Sequence, residues 1–353
     1  MMLFGKLFTV ATLATAFTAL GVAGSNNIDN KEAFIVFGNS MSDVGNKLAI
    51  FGQKAYWNGR FSNGPVWNEY AAAFLKLPLV NYAIGGATSS NTALVNGTTS
   101  SGALIPSLLD QIDAFLKNNT NIQHPEKNTM VLEVGGNNIL WPLATDPKYV
   151  MANKDKLIDG IANDMMTGLQ KVFDAGYRRF LVWNVPGADH SPEMPNNQDV
   201  KNLVNEIITS ANSKISDGLK SFNSKNKPAF SQLFDAHTLL GNVQDQKVSK
   251  ALNLTDTTTA CVQSDSGMYK PDLKVCDNGY QHLYYDLVHP STRVHNLLGA
   301  MVSEIVKDPK TTTFNIDSMA DLATKNNINS ATAENNAVIK SGINNVPGFV
   351  KGL

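Results

Sequence analysis

The chain has 353 residues, 43% hydrophobic and 17% charged, an ordinary globular composition that excludes a charge-heavy disordered polymer. Its 29 basic and 30 acidic residues leave a formal charge of -1, with no dense Lys/Arg block. Nucleic acid and anionic membrane surfaces therefore lose their main electrostatic attraction.

Residues 1–24 read as a secretory signal peptide. Lys6 supplies a positive start, Leu7 to Val22 carries no charge, and Gly21 with Ala23, or Val22 with Gly24, offers a cleavage position. The stretch is short of the roughly 20 apolar residues that a spanning helix needs. No other segment approaches that length, so the mature chain is expected to be secreted, without a stable membrane anchor.

From there on, short apolar runs alternate with helical patterns. Strands are predicted at Phe34–Phe37, Leu79–Ile84, Met130–Val134, Phe180–Val185 and Phe230–Phe234, and helices at Pro65–Leu75, Ile105–Leu116, Lys154–Asp174, Asp199–Phe222 and Ser291–Val306. In Asp199–Phe222 the residues Val200, Leu203, Val204, Ile207, Ile208, Ala211, Ile215 and Leu219 recur at spacings of three and four, which makes one apolar face. Near-continuous apolar strands alternating with helices imply a parallel sheet covered on both sides, a three-layer α/β domain over residues 30–308. Residues 309–353 are polar and rich in Asn, Ala and Ser, and read as a weakly packed extension.

Cys261 and Cys276, the two cysteines, suit one disulfide in an exported chain. Asn96, Asn118 and Asn253 each begin an Asn-x-Thr sequon, a glycosylation site on a eukaryotic secretory route.

In an open parallel sheet, ligands sit beyond the carboxyl ends of the strands. Three predicted strands end there in small-residue turns: Gly38-Asn39-Ser40-Met41-Ser42-Asp43, Gly85-Gly86-Ala87-Thr88 and Gly135-Gly136-Asn137-Asn138. Ester cleavage needs a nucleophile, a base and donors for an oxyanion. Ser40 offers a hydroxyl and its own N–H, Gly86 a bare backbone N–H, and Asn137 a side-chain NH2. Among six histidines, His289 follows Asp286 by three residues and precedes Pro290, which biases it away from helical geometry. Asp286 can then hold one ring nitrogen while the other faces Ser40. Asp235 with His237 is a rival pair. His190, beside Asp189, reads as a solvated loop residue with the crevice wall as its alternative, and Trp57, Trp141 and Trp183 as wall or packing residues. No cation loop, His-x-x-x-His pair or Cys cluster appears, so neither metal nor cofactor is expected.

Four blocks, GNSMSDVGN at Gly38–Asn46, NYAIGGAT at Asn81–Thr88, GGNN at Gly135–Asn138 and DLVHP at Asp286–Pro290, occur in one order across residues 34–306. Together they resemble the GDSL, or SGNH, family of esterases and lipases, and NGRFSNGPVW at Asn58–Trp67 is similar to its secreted branches. The resemblance implies a flavodoxin-like sheet, Ser40, Gly86, Asn137 and His289 in the roles that name the family, and Asp286 completing a triad. Two positions depart from the pattern: Asn39 and Asn138 stand where the family normally has Asp. The expected function is a secreted serine carboxylic-ester hydrolase working through an acyl-enzyme on a small-molecule, lipid or acylated-carbohydrate ester. A phospholipase, lysophospholipase or acyltransferase on membrane lipid, and a catalytically silent secreted binding module, remain open as alternatives.

Overall fold

The computed structural model describes residues 32–46, 55–99, 101–119, 122–188, 191–194, 197–264, 273–308, 310, 313–341 and 350–351. The stretch read as a signal peptide lies outside them, as do Asp189 and His190. Five strands, β1 (Phe34–Gly38), β2 (Leu79–Asn81), β3 (Thr129–Glu133), β4 (Arg179–Trp183) and β5 (Phe230–Phe234), form a parallel sheet in the order β2-β1-β3-β4-β5. The strand order reverses between β1 and β3, so a crevice opens beyond their carboxyl ends.

Alternation along the strands sorts side chains between the two faces. Phe34, Val36, Val131, Leu181 and Trp183 pack on one side with α1 (Trp67–Leu75), and Ile35, Phe37, Met130, Leu132 and Phe180 on the other with α2 (Leu108–Asn118). Trp183 is sandwiched between Trp67 and Phe234, with ring centroids 4.4 Å away on each side. It is a core residue and has no part in the crevice.

Three further helices, α3 (Gly136–Thr145), α4 (Pro147–Asp174) and α5 (Gln198–Asn226), follow β3 and β4. The sequence pattern reads α3 as part of a turn and starts α4 too late. Asp146 caps α4 by accepting from Lys148 N–H at 2.9 Å, and Pro147 fits the first helical position because its missing N–H is not needed there. Strand β2 stops three residues earlier than expected, because Asn81 turns its side chain onto Ala83 N–H (3.0 Å) and Ser42 C=O (2.9 Å).

After β5 the chain forms α6 (Ala236–Asn242), α7 (Gln246–Ala251) and two small ribbons, neither of them anticipated. Strand β6 (Asp256–Ala260) pairs with β9 (His282–Tyr284), and β7 (Val262–Gln263) with β8 (Lys274–Val275). Cys261 and Cys276 are joined by a disulfide with Cα atoms 5.0 Å apart. Helix α8 (Thr292–Lys307) returns to pack on α1.

The segment beyond Lys307 corrects the expectation of weak packing. Helices α9 (Ile316–Lys325) and α10 (Ala337–Ser341) bury Met319, Leu322, Ala323 and Val338, with Ile328 between them, in the same cluster as α1 and α8. Its apolar residues are few but fall on inward faces. A short strand β10 (Val350–Lys351) pairs parallel to β2 at the sheet edge.

Candidate active site

The site lies beyond the carboxyl ends of β1 and β3. Residues Leu283 to Ser291 fold as a narrow hairpin, closed by Ser291 N–H on Leu283 C=O (2.8 Å) and Tyr285 N–H on His289 C=O (2.7 Å). Asp286 and His289 sit at its tip, 1% and 4% exposed. Asp286 Oδ1 accepts from the backbone N–H groups of His289 (2.7 Å) and Val288 (2.9 Å), and Oδ2 accepts from Tyr56 OH (3.0 Å). His289 Nδ1 lies 2.9 Å from both carboxylate oxygens. A carboxylate only accepts, so Nδ1 carries the proton, and Nε2 is left to accept from Ser40 Oγ at 2.6 Å. Burial pushes the Asp286 carboxyl up, but the His289 charge and the hydrogen bonds from His289 and the Val288 backbone outweigh it and hold the group below its usual range.

The segment that follows Ala55 buttresses this hairpin. Phe61 stacks at 5.0 Å on the imidazole, Ser62 Oγ donates to Pro290 C=O (3.1 Å), and Asn63 Oδ1 accepts from Thr292 N–H (2.9 Å). Arg60 is pinned by a buried ion pair to Glu69 at 2.6 Å and lies over the Trp57 ring. From the other side, Cys261 and Val262 donate their N–H groups to Tyr284 C=O (3.2 Å) and Tyr285 C=O (2.7 Å).

The turn carrying Ser40 is held from below. Gly38 N–H donates to Gln111 Oε1, and Gln111 Nε2 returns a bond to Gly38 C=O, both at 2.9 Å. Glu133, at the end of β3 and 0% exposed, accepts from Asn39 Nδ2 on Oε1 (2.9 Å) and from Ser42 Oγ on Oε2 (2.7 Å). A Cβ on Gly38 would stand 2.8 Å from Glu133 Oε2, so only glycine fits that close approach. Burial raises the Glu133 carboxyl to about 7, against the lowering effect of Ser42 and Asn39. Asp43 ties the first block to the second: its Oδ1 accepts from Gly45 N–H (2.8 Å) and Asn46 N–H (2.5 Å), and its Oδ2 from Gly85 N–H (2.7 Å). Asn46 Nδ2 then donates to Ala83 C=O (2.9 Å).

These ties bring Gly86, with a positive φ of 89°, to the same cavity as Ser40, Asn137 and His289. No partner is found for the Ser40 and Gly86 N–H groups among the described residues, so both can donate to an incoming oxygen. Asn137 Nδ2 donates to Ala87 C=O at 2.9 Å, which leaves its second N–H for the cavity. Asn138 points away: Oδ1 accepts from Ser89 N–H and Nδ2 donates to Ser89 Oγ, both at 2.9 Å, and Ser89 Oγ donates in turn to Asp164 at 2.7 Å.

The cavity measures about 410 Å3 and its wall is mainly apolar, with Leu140, Trp141, Leu143, Met194, Val200 and Val288. Trp141 donates to Gly86 C=O at 3.0 Å, so it both lines the wall and steadies the turn. Glu193 is the carboxylate on this wall, raised by burial and then by the charge of Asp286. A smaller chamber of about 70 Å3 adjoins it, sharing Ser40, Asn137 and His289 and reaching Glu133.

Among the described residues, His237 and His295 lie apart from this group. Asp235 caps α6 by accepting from Thr238 N–H (3.2 Å) and from Asn184 Nδ2 (2.7 Å), and it does not hold His237. His295 is buried on α8, where Nδ1 accepts from Trp67 N–H (3.3 Å) and burial, reinforced by His289, pushes its pKa down to about 3. Asn96, Asn118 and Asn253 are exposed. The sequence reading missed Tyr56, Gln111 and Glu133. For Glu133 a signal existed, a lone acid in the apolar strand Met130–Val134.

The family model described as GDSL-like Lipase/Acylhydrolase matches residues 34–302. The chain is 24% identical over 288 residues to a thermolabile hemolysin of Vibrio parahaemolyticus, covering 78% of this chain and 64% of that protein. The chain thus spans just under two thirds of the hemolysin's own length. It is 22% identical over 354 residues to GDSL esterase/lipase 1 of Arabidopsis thaliana, covering 84% and 92%. An acetylxylan esterase structure from Geobacillus stearothermophilus superposes with a TM-score of 0.39 at 12% identity, over 81% of this chain and 95% of that one.

Proposed function

Since the chain belongs to the GDSL-like lipase/acylhydrolase family, we propose that it is an ester hydrolase that cleaves carboxylic esters through an acyl-enzyme on Ser40. The observation that carries this reading is the ordered series Ser40 Oγ, His289 and Asp286, with the imidazole tautomer set by the carboxylate. Ser40 Oγ attacks the carbonyl carbon while its proton passes to His289 Nε2, and Asp286 stabilises the imidazolium. The oxyanion is met by the N–H groups of Ser40 and Gly86 and the free N–H of Asn137, donors of a kind whose loss costs about 10²–10³ in turnover. His289 then protonates the departing alcohol, and water repeats the sequence in reverse to free the acid.

The cavity size is within the range of small-molecule sites, and its apolar wall favours an acyl chain longer than acetyl over an acetylated sugar. Among the described residues no helix is long and apolar enough to cross a membrane. The export reading rests on the uncharged stretch Leu7–Val22, with the Cys261–Cys276 disulfide in support.

A covalent fluorophosphonate probe tests the nucleophile. Labelling is expected for the native chain and expected to vanish in Ser40→Ala; a folded native chain that resists the probe overturns the enzyme reading in favour of a silent binding module. In a p-nitrophenyl ester series, kcat/KM is expected to rise from acetyl to medium-length chains, and a maximum at acetyl would reject the acyl-chain assignment.

A further inference from the structure

Asn39 and Ser42 flank the nucleophile closely, and both are tied to one buried carboxyl. Asn39 spends its whole side chain on the turn: Nδ2 donates to Glu133 Oε1 at 2.9 Å, and Oδ1 accepts from Met41 N–H at 2.9 Å, on the far side of Ser40. Asn39 N–H adds a longer bond to Oε2 at 3.4 Å. Ser42 Oγ receives Trp67 Nε1–H at 3.0 Å, so its own proton goes to Glu133 Oε2 at 2.7 Å. Among the described residues every hydrogen bond to Glu133 comes from a donor, which favours the ionised form against the burial that raises its carboxyl. The polar groups that face it, Asn39, Ser42 and through Ser42 Trp67, are neutral.

This arrangement tolerates only one negative charge. An aspartate in place of Asn39 would put two carboxyl oxygens about 2.9 Å apart, where both cannot ionise. A glutamine in place of Glu133 alone would set its NH2 against either the Asn39 NH2 or the Ser42 hydroxyl proton. We propose that Glu133 is a positioning residue for the hydrolytic reaction, fixing the Asn39–Ser42 turn and with it the aim of Ser40, and that Asn39 is its required neutral partner. The proposal rests on Ser40 being the nucleophile.

The geometry specifies its own rescue. In the double variant Asn39→Asp with Glu133→Gln, the introduced amide NH2 donates to the introduced carboxylate, and the amide carbonyl accepts from Ser42 Oγ. That carboxylate still accepts from Met41 N–H. All the short bonds return with the charge on the opposite side. Each single variant is expected to lower kcat by about ten- to a hundredfold through misplacement of Ser40, with KM for a p-nitrophenyl ester nearly unchanged, since Glu133 lies outside the larger cavity. The double variant is expected to recover kcat to within several-fold of native, and the fluorophosphonate labelling rate is expected to follow the same order.

Two outcomes overturn the proposal. One is a double variant no faster than the slower single. The other is single variants that melt lower but keep native kcat per folded molecule, which would make the pair merely structural. Ser40→Ala separates this from failure of the hydrolase reading: if that variant keeps its activity the nucleophile assignment fails, whereas lost labelling without rescue in the double variant sinks only the role of Glu133.

Discussion

At the scale of single residues, Asp286 shows how one carboxylate does two tasks. It sets the imidazole tautomer and collects the hairpin N–H groups that would otherwise be buried without partners. Asp286→Asn keeps the shape but offers one oxygen instead of two, so the ring can settle in the wrong tautomer. A fall in kcat of about 10³–10⁴ is expected, readable with any accepted ester. The same group makes stability depend on acid. Its carboxyl titrates lower in the folded chain than in the unfolded one, so its contribution is complete above the ordinary carboxylate range and is lost as pH falls through it. Melting temperature is therefore expected to fall more steeply below about pH 4 in the native chain than in Asp286→Asn. Parallel curves would remove this account of the acid limb.

The principal residues of the candidate site could be picked out of the sequence because the proposed hydrolysis calls for unlike groups in separate places. A serine, a glycine and an asparagine each stood after a predicted strand, and a histidine stood three residues after an acid. The residues that hold these groups were not legible. Gln111 on α2 reads as an ordinary polar position, and Tyr56 as an aromatic in a loop. Their partners are 73 and 230 residues away in sequence, so no local spacing marks them.

Among the elements, the five core strands and the long helices followed from their apolar patterns. Helix α3 did not, because Gly135-Gly136 reads as a turn, although the glycines only start the helix, which runs on through Pro142 to Thr145. Strand β6 is Thr-rich and half exposed, without the alternation that betrays a strand. It matters nonetheless, since β6 and the disulfide carry the backbone that holds Tyr284 and Tyr285 just ahead of Asp286. Reducing Cys261–Cys276 is expected to lower kcat proportionally more than it lowers the melting temperature. Unchanged turnover in the reduced, still-folded chain would show that the hairpin stands without it.

The whole molecule wraps its last segment back onto the first helix. Composition made residues 309–353 look dispensable, because polarity averaged over a segment hides a few apolar residues that share a face. Buried Met319, Leu322, Ile328 and Val338 share a core with α1 and α8, and burying each large apolar side chain is worth roughly 1.5–3 kcal/mol. Against a net stability of about 5–15 kcal/mol, that is a large fraction. A chain stopped at Lys307 is expected to be insoluble or to melt at least about 10 °C lower. A native melting curve for the shortened chain would mean these contacts are incidental.

The two-way amide clip of Gln111 on Gly38 has a consequence for where the first strand ends. A glutamine side chain carries the same donor and acceptor as a peptide unit, and here it takes the Gly38 N–H that the chain beyond Asn81 leaves without a carbonyl, while Gly38 C=O is shared between Gln111 and Ile84 N–H at 3.1 Å. On its N–H side the ladder is finished by a side chain that cannot lengthen it. Beyond Gly38 the backbone has no rail to follow, and it is free to bend upward where the serine must be offered.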